Sequence, residues 1–288
     1  MNHHLHTETH HILVSGLLIS VRFFYVLLLS ICLVGITVAC NIKEAREKER
    51  EDMVTNRTNY NTGRLTARPN NTSAKDNFTT SVQPLNLDSR RDGFIYVPKA
   101  YSPSKPAVLA VMLHGAGGQA EHGLSLLRQY ADENNIIIIA PASRAASWDI
   151  ISSNHFGPDV IFIDQALTLA FERFNIDTTH IAIGGFSDGA SYALCLGLTN
   201  GNLFTHVVAF SPGFVHTLEK KGKPEVFISH GTQDRVLPID PCSRRIVPQL
   251  QRQGIKVNYL EFNGAHEIPG NISGSGVAWF LNNSKNQP

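Results

Sequence analysis

A serine flanked by glycines lies where a predicted strand meets a predicted helix. Strand 181–183 runs into the sequence GGFSDGA, in which Gly185, Ser187 and Gly189 form a Gly-x-Ser-x-Gly motif. Because glycine has no Cβ atom, strand and helix can approach closely on either side of the serine. A sharp turn of this kind holds the hydroxyl outward, where it can attack a carbonyl carbon. The alternative is a turn that binds phosphate at the helix N-terminus and carries no chemistry.

A carboxylate and a histidine follow two later predicted strands. Asp234 lies in HGTQDRVLP after strand 226–229, and His266 lies in NGAHE after strand 257–262. A serine hydroxyl is a weak nucleophile at neutral pH, so a histidine must accept its proton. A carboxylate on the other ring nitrogen fixes the tautomer and stabilises the imidazolium. We therefore predict Ser187 as nucleophile, His266 as base and Asp234 as the orienting acid.

Two other residues could fill these roles. Asp240 could replace Asp234, but it lies beyond Pro238 at a predicted helix start, where capping is the simpler explanation. His230 could replace His266, yet it ends a strand only four residues before the acid. We expect His230 to support that loop.

A glycine-rich turn follows the apolar segment that ends at Leu113. Its sequence, HGAGG, presents backbone N–H groups beyond a predicted central strand. Acyl transfer needs two such donors aimed at the oxygen that becomes negative. We assign one donor to Asp188, the residue after the nucleophile, and the other to Ala116, with Gly117 as an alternative. We expect His114 to brace the turn rather than to serve as the base.

The elements that must position these residues alternate from about Asp92 onward. Continuous apolar segments, such as Ala107–Leu113 and 136–140, are typical of strands buried on both faces, and segments with helical spacing separate them. This alternation predicts an α/β domain with a mostly parallel, doubly wound sheet and helices on both faces. Since ligands bind at the carboxyl ends of such strands, the motifs should meet in one crevice.

With these motifs the chain resembles the α/β-hydrolase superfamily. More narrowly, it is similar to the phospholipase/carboxylesterase group and, to some extent, to polyhydroxybutyrate-depolymerase-like esterases. The resemblance covers residues 92–281 and rests on HGAGG at 114–118, GGFSDGA at 184–190, HGTQDRVLP at 230–238 and GAH at 264–266. It implies an α/β-hydrolase fold and a cofactor-free enzyme that cleaves carboxylic esters or thioesters of modest size through an acyl-enzyme. The group usually carries little or no cap, and the short segment between predicted strands 206–210 and 225–230 agrees with this.

Trp148 lies in a long loop, residues 141–158, that is predicted to overhang the crevice. One hypothesis is that its ring lines the acyl or alcohol pocket. The other is that the ring packs the loop onto the domain.

The N-terminal part of the chain differs from the rest in composition. Residues 12–39 are almost wholly apolar and carry no charge from residue 23 onward. This length suits a signal peptide and is at the short limit for a bilayer-spanning helix. We predict that residues 1–40 are a signal peptide, a membrane anchor or a lipoprotein signal ending at Cys40. Residues 41–91, charged and then rich in Asn, Thr and Ser, predict a flexible tether before a catalytic domain at 92–288. An exported or membrane-tethered protein is expected.

Composition narrows the remaining function classes. The net charge of +1 over 288 residues provides no basic field for nucleic acid. The domain shows no His/Asp cluster at ligand spacing, which disfavours metal catalysis. Cys195 is expected to be a free core thiol, and two distant cysteines do not predict a disulfide. The favoured function is hydrolysis of a small-molecule ester. A peptidase or amidase, a thioesterase or a non-catalytic binding domain are the alternatives.

Overall fold

The computed structural model of the protein describes residues 43, 48, 60–69, 78–216 and 219–282. The chain separates into two units, residues 1–56 and 57–288. Lys43 and Lys48, the described residues of the first unit, are both helical. The second unit contains the sheet and all the predicted site residues.

Strands form one eight-stranded sheet within the described residues, in the order β1-β2-β4-β3-β5-β6-β7-β8. The six strands from β4 to β8 in that order are parallel, whereas β2 pairs antiparallel with both β1 and β4. The bounds are β1 Val82–Pro84, β2 Gly93–Tyr96, β3 Ala107–Leu113, β4 Ile136–Pro141, β5 Ile176–Phe186, β6 His206–Phe210, β7 Glu225–Gly231 and β8 Val257–Phe262. The predicted mostly parallel, doubly wound sheet is confirmed.

Helices cover both faces of this sheet. They are α1 Ala120–Ser125, α2 Arg128–Asn134, α3 Asp149–Ser152, α4 Pro158–Arg173, α5 Asp188–Thr199, α6 Ser243–Arg252 and α7 Gly270–Leu281. Successive residues of β3 point to opposite faces, as the strand geometry requires. Leu109 and Val111 join a core with α4, α5 and α6, whereas Ala110 and Met112 join a second core with α1, α2 and α7. Burial on both faces explains why β3 and β4 are continuous apolar segments.

The strand order changes direction beside β3, and this positions the motifs. The chain passes from β3 to β4 on one side and then returns to β5 on the other side of β3. The glycine-rich turn follows β3, and the serine motif spans the end of β5 and the start of α5. Ligands bind at such a switch point in open α/β sheets, because the loops diverge there and leave a crevice.

The domain begins earlier than the sequence predicts. Leu65 and Ala67 are buried against the core, and β1 adds a strand at Val82–Pro84. The Asp164 side chain accepts hydrogen bonds from the backbone N–H groups of Thr66 and Ala67, both at 2.8 Å. The prediction of a flexible tether over 41–91 is therefore wrong for residues 60–69 and 82–91. The polar composition of residues 60–69 gives no sign of their burial, because buried side chains elsewhere in the domain accept the hydrogen bonds of their backbone.

The sequence also makes predictions about a cap over the sheet and about an N-terminal membrane segment. The connection from β6 to β7 contains no helix in its described part, as expected for little or no cap. Within the described ranges, no helix combines the length and hydrophobicity needed to cross a bilayer. The predicted signal or anchor, residues 1–40, lies outside the described residues.

Candidate active site

Ser187 occupies a strained turn between β5 and α5. Its φ of 56° and ψ of −119° lie in a region that residues with a side chain rarely adopt. A Cβ atom at Gly185 would lie 2.6 Å from the carbonyl carbon of Gly189, and one at Gly189 would lie 2.4 Å from the carbonyl oxygen of Leu113. Only glycine fits at either position, so the motif predicted from the sequence has a direct steric cause.

The structure brings the predicted nucleophile, base and acid together. The Ser187 hydroxyl lies 2.9 Å from Nε2 of His266, the geometry for donation to that nitrogen. The opposite ring nitrogen, Nδ1, lies 2.6 Å from Oδ2 of Asp234. Serine, imidazole and carboxylate thus form one continuous hydrogen-bonded series, which is the arrangement that allows a histidine to accept a hydroxyl proton.

Asp234 is held as a carboxylate by its surroundings. Burial alone would raise the pKa of this carboxyl, but hydrogen bonds from His266 and from the backbone N–H groups of Leu237 and Val236 outweigh burial and lower the pKa below its usual range. The two backbone donors contact Oδ1 at 2.8 and 2.9 Å, which leaves Oδ2 facing the histidine. The side chain is fully buried, so water does not compete for these bonds.

Neither alternative residue occupies the site. Asp240 is exposed and pairs with Arg244 at 2.9 Å. His230 is buried behind Asp234, where its Nδ1 lies 2.7 Å from the Ser243 hydroxyl and its Nε2 lies 2.8 Å from the carbonyl oxygen of Leu237. His230 therefore supports the loop that carries the acid, as expected.

The glycine-rich turn after β3 lies beside Ser187, and one of its backbone N–H groups is already hydrogen-bonded within the protein. The N–H of Gly117 donates to the carbonyl oxygen of Ala146 at 2.7 Å, which removes Gly117 as the alternative oxyanion donor. The N–H groups of Ala116 and Asp188 have no hydrogen-bond acceptor among the described residues. Two free donors on either side of the nucleophile match the requirement for stabilising a developing oxyanion.

His114 braces this turn through both ring nitrogens. Its Nδ1–H donates to the carbonyl oxygen of Gly115 at 2.7 Å, and its Nε2 accepts the N–H of Ser143 at 3.0 Å. Burial lowers the pKa of the imidazole, which favours this neutral form. With both nitrogens engaged, His114 is not positioned to serve as the base.

A cleft of 380 Å³ opens along the same turn. Its size is in the range of small-molecule sites. The lining comes from the turn after β3, from α1 and its end, and from the residue before the nucleophile: His114, Gly115, Ala116, Gly117, Gly118, His122, Ser125, Leu126 and Phe186. The Phe186 ring also lies 4.6 Å from the ring of His266, so one residue of the lining lies next to the base. The described residues contain no group of three or more His, Cys, Asp or Glu placed to hold a metal ion.

Trp148 is not part of this cleft. Its ring is fully buried, lies 5.2 Å from the ring of Tyr192 and 4.8 Å from that of His114, and its Nε1–H donates to the His114 carbonyl oxygen at 2.9 Å. The pocket hypothesis for Trp148 is wrong, and the packing alternative holds. An indole with its N–H paired and both faces covered has no surface left for a substrate.

Sequence reasoning missed the cleft residues Leu126 and Phe186 and the neighbouring residue Ser147. Leu126 follows α1, is only partly buried and lines the cleft. The Ser147 hydroxyl donates to Oδ2 of Asp188 at 2.6 Å. A signal for Phe186 existed, since a residue directly before the nucleophile necessarily lies at the crevice.

Comparisons with known proteins find similar esterases. The family model described as phospholipase/carboxylesterase matches residues 160–274. Feruloyl esterase C of Emericella nidulans is 28% identical over 169 residues, which cover 56% of this chain and 61% of that protein. Acetylxylan esterase of Coprinopsis cinerea is 31% identical over 184 residues, covering 59% of this chain and 46% of that protein. The chain thus spans less than two thirds of the length of these relatives.

The fold also matches solved structures. A thermostable esterase superposes with a TM-score of 0.57 at 21% identity, over 69% of this chain and 62% of that one. At that identity the likeness concerns the fold alone, and it agrees with the family match and the curated relatives. Taken together, the family match, the curated relatives and the fold support placing the chain in the α/β-hydrolase superfamily and, within it, in the carboxylesterase group.

Proposed function

We propose that the protein is a serine hydrolase that cleaves carboxylic esters through an acyl-enzyme intermediate. The observation that carries the proposal is the hydrogen-bonded series from Ser187 through His266 to Asp234, with separations of 2.9 and 2.6 Å. The relatives named as feruloyl and acetylxylan esterases support the same reaction class.

Acylation uses the three side chains in turn. The Ser187 oxygen attacks the ester carbonyl carbon while Nε2 of His266 takes the hydroxyl proton. Asp234 stabilises the imidazolium that forms, and the imidazolium then gives its proton to the departing alcohol oxygen. The acyl group stays bonded to Ser187 until His266 activates a water molecule, which releases the acid and restores the hydroxyl.

The negative oxygen of each tetrahedral intermediate is assigned to the N–H groups of Ala116 and Asp188. Both groups lack an acceptor among the described residues, and they belong to the two segments that meet at the nucleophile. Fixed donors stabilise the charge without reorganising when it forms, an effect worth roughly 10²–10³ in rate for each donor.

The acyl group is assigned to the cleft beside the glycine-rich turn. Leu126 and Phe186 supply apolar surface there, and His122 and Ser125 supply exposed polar groups. This combination suits an acyl group of small or medium size, including an aromatic acid with a polar substituent. The similarity to proteins named feruloyl esterases supports such an aromatic acid, and the similarity to proteins named acetylxylan esterases supports acetate as the smaller acyl group. The substrate is a small-molecule ester or an ester side group on a carbohydrate.

The protein is proposed to be exported or tethered to a membrane. The uncharged residues 23–39 give residues 1–40 the character of a signal peptide, lipoprotein signal or anchor. A membrane is a partner where that segment is retained. Fractionation of cells that express the full chain, followed by mass spectrometry of its N-terminus, tests this. A full-length N-terminus in the soluble cytoplasmic fraction would contradict it.

The function is tested with the purified full chain on p-nitrophenyl acetate, butyrate and octanoate and on methyl ferulate. Ser187→Ala should abolish hydrolysis of every ester, whereas Ser153→Ala, the same change on a loop outside the site, should preserve it. A thioester and an anilide in the same panel separate the esterase from the thioesterase and amidase alternatives. A folded parent that hydrolyses no ester argues against the proposal.

A further inference from the structure

One short segment touches both halves of the assigned oxyanion hole. We call residues 146–148 the brace. On one side, the Ala146 carbonyl oxygen accepts the N–H of Gly117 at 2.7 Å, and Nε1–H of Trp148 donates to the carbonyl oxygen of His114 at 2.9 Å. Both bonds hold the turn that presents Ala116.

On the other side, the brace reaches the residue after the nucleophile. The Ser147 hydroxyl donates to Oδ2 of Asp188 at 2.6 Å, a charge-assisted bond at a largely buried serine. Asp188 carries a carboxylate on the residue whose N–H is assigned to the oxyanion. Ser147 therefore holds a negative side chain in a fixed place close to where a second negative charge develops.

Two buried carboxylates anchor the brace. Asp159 Oδ2 accepts the N–H of Asp149 at 2.7 Å, and Asp149 Oδ2 accepts the N–H of Asp159 at 2.9 Å and that of Gly157 at 2.8 Å. Oδ1 of Asp159 accepts the N–H of Arg144 at 2.6 Å. Burial, followed by the charge of Asp149, raises the pKa of Asp159 to about 6. These reciprocal bonds fix the loop at both ends of the brace.

We propose that Ser147 is a positioning residue for the oxyanion hole, and that the brace sets the separation of the Ala116 and Asp188 N–H groups. The inference rests on the proposed ester hydrolysis and deepens it. Ser147 contacts no reacting atom. Its role is exerted through Asp188, the first residue of α5.

The physical reason is the narrow geometry that oxyanion donors require. Donors must lie about 2.7–3.1 Å from the developing oxygen, and small misplacements lower the rate sharply. Loss of the Ser147 hydroxyl frees the Asp188 carboxylate and loosens the first turn of α5. Because the donors act mainly in the transition state, kcat should fall while KM stays nearly constant.

The test compares three single variants of the full chain. Ser147→Ala removes the donor, and Ser147→Thr retains a hydroxyl at the same position. Ser153→Ala is the matched control, since the Ser153 hydroxyl donates to the backbone carbonyl oxygens of Asp149 and His155 at 2.7 and 3.4 Å and contacts neither half of the hole. The readouts are kcat and KM for p-nitrophenyl butyrate, the inhibition constant of butylboronic acid, and the thermal midpoint.

Ser147→Ala is expected to lower kcat by about tenfold or more with KM within about twofold. The boronic acid forms a tetrahedral adduct on a serine hydroxyl, so its inhibition should weaken by a similar factor. Ser147→Thr should recover most of kcat, and Ser153→Ala should match the parent.

Two results would overturn the positioning role while leaving the esterase intact. One is a Ser147→Ala variant with the kcat and boronate affinity of the parent. The other is an equal loss in all three variants together with a lowered thermal midpoint, which would indicate a purely structural loop. A parent without esterase activity would instead overturn the proposed function and this role with it.

Discussion

The Asp234 oxygen that lies 2.6 Å from His266 also lies 3.2 Å from Nε2 of His230. Both the Asp234 and His230 side chains are fully buried, so one carboxylate oxygen faces two imidazoles without water between them. Burial lowers the pKa of His230, which favours a neutral ring with its proton on Nε2. That proton points to the Leu237 carbonyl oxygen, and the Ser243 hydroxyl donates to Nδ1. His230 therefore helps to hold in place the carboxylate oxygen that accepts the hydrogen bond from His266.

His230→Phe should lower kcat by about tenfold without changing the identity of the base. An aromatic ring is kept, but the bonds to Leu237 and Ser243 and the dipole facing Asp234 are lost, so the carboxylate is less firmly oriented. Steady-state kinetics on p-nitrophenyl butyrate measures the change, with His155→Phe on an exposed loop as control. A loss as large as that of a His266→Ala variant would mean that the two histidines have been assigned in the wrong order.

Asp234→Asn should lower kcat by roughly 10³–10⁴-fold while the protein stays folded. The amide nitrogen cannot accept the Nδ1–H of His266, which disfavours the tautomer that serves the serine. Kinetics and circular dichroism of Asp234→Asn and of Asp240→Asn measure the effect. Asp240 is exposed and paired with Arg244, so its variant should retain parental activity. Equal activity in both variants would remove Asp234 from the triad.

Local sequence accounts for the parts of the site that backbone geometry dictates. Gly185 and Gly189 leave no room for a side chain, so the serine motif is visible in the sequence, and the acid and base follow their strands in order. The contact of Ser147 with Asp188 and the burial of Trp148 depend instead on how a long loop folds back onto the turn after β3. No periodicity encodes such contacts. The same holds for residues 60–69, whose burial depends on side chains about a hundred residues further along the chain.

Leu126→Trp should shift the acyl preference of the enzyme toward acetate. Leu126 lines the cleft beside the glycine-rich turn, and a larger ring there would occupy space that a long or aromatic acyl group needs. The ratio of kcat/KM for p-nitrophenyl octanoate to that for acetate should fall by about tenfold, since hydrophobic pockets discriminate by 1–3 kcal/mol for small changes in fit. Leu126→Met, which nearly conserves volume, is the control. An unchanged ratio would place the acyl group on the other side of Ser187.

Asp164→Ala should destabilise the protein by about 3 kcal/mol, because buried donors of the 60–69 segment lose their acceptor. Asp164 accepts two backbone N–H groups and the hydroxyls of Thr66 and Tyr60. Chemical denaturation measures the free energy of unfolding. In a chain that begins at residue 78, the same substitution should have little effect, since its partners are gone. An equal loss in both chains would show that Asp164 acts elsewhere.

His206 is predicted to make the protein less stable in acid. Burial first, and then the neighbouring His180, lower the pKa of His206 from 6.5 to about 4. Glu225 raises that pKa and Lys256 lowers it, and the two pair with each other at 3.2 Å. The ring also packs against Trp279 and Phe280. Between pH 6.5 and 4 the unfolded chain binds a proton at this residue that the folded chain does not, so the free energy of unfolding falls as the pH falls through this range.

His206→Phe should remove this part of the pH dependence and keep the aromatic packing. Asp159 acts with the opposite sign, because its raised pKa of about 6 adds stability as the pH falls from 6 toward 3.8. A pH profile of the parent alone therefore mixes the two groups, whereas the difference between parent and variant isolates His206. Urea denaturation at half-unit steps from pH 8 to pH 4 measures that difference, with His155→Phe as control. The difference in the free energy of unfolding between parent and variant should be constant above about pH 7. Below pH 6.5 the parent should lose stability relative to the variant. A difference that stays constant down to pH 4 would mean that His206 takes up its proton as readily in the folded chain as in the unfolded one.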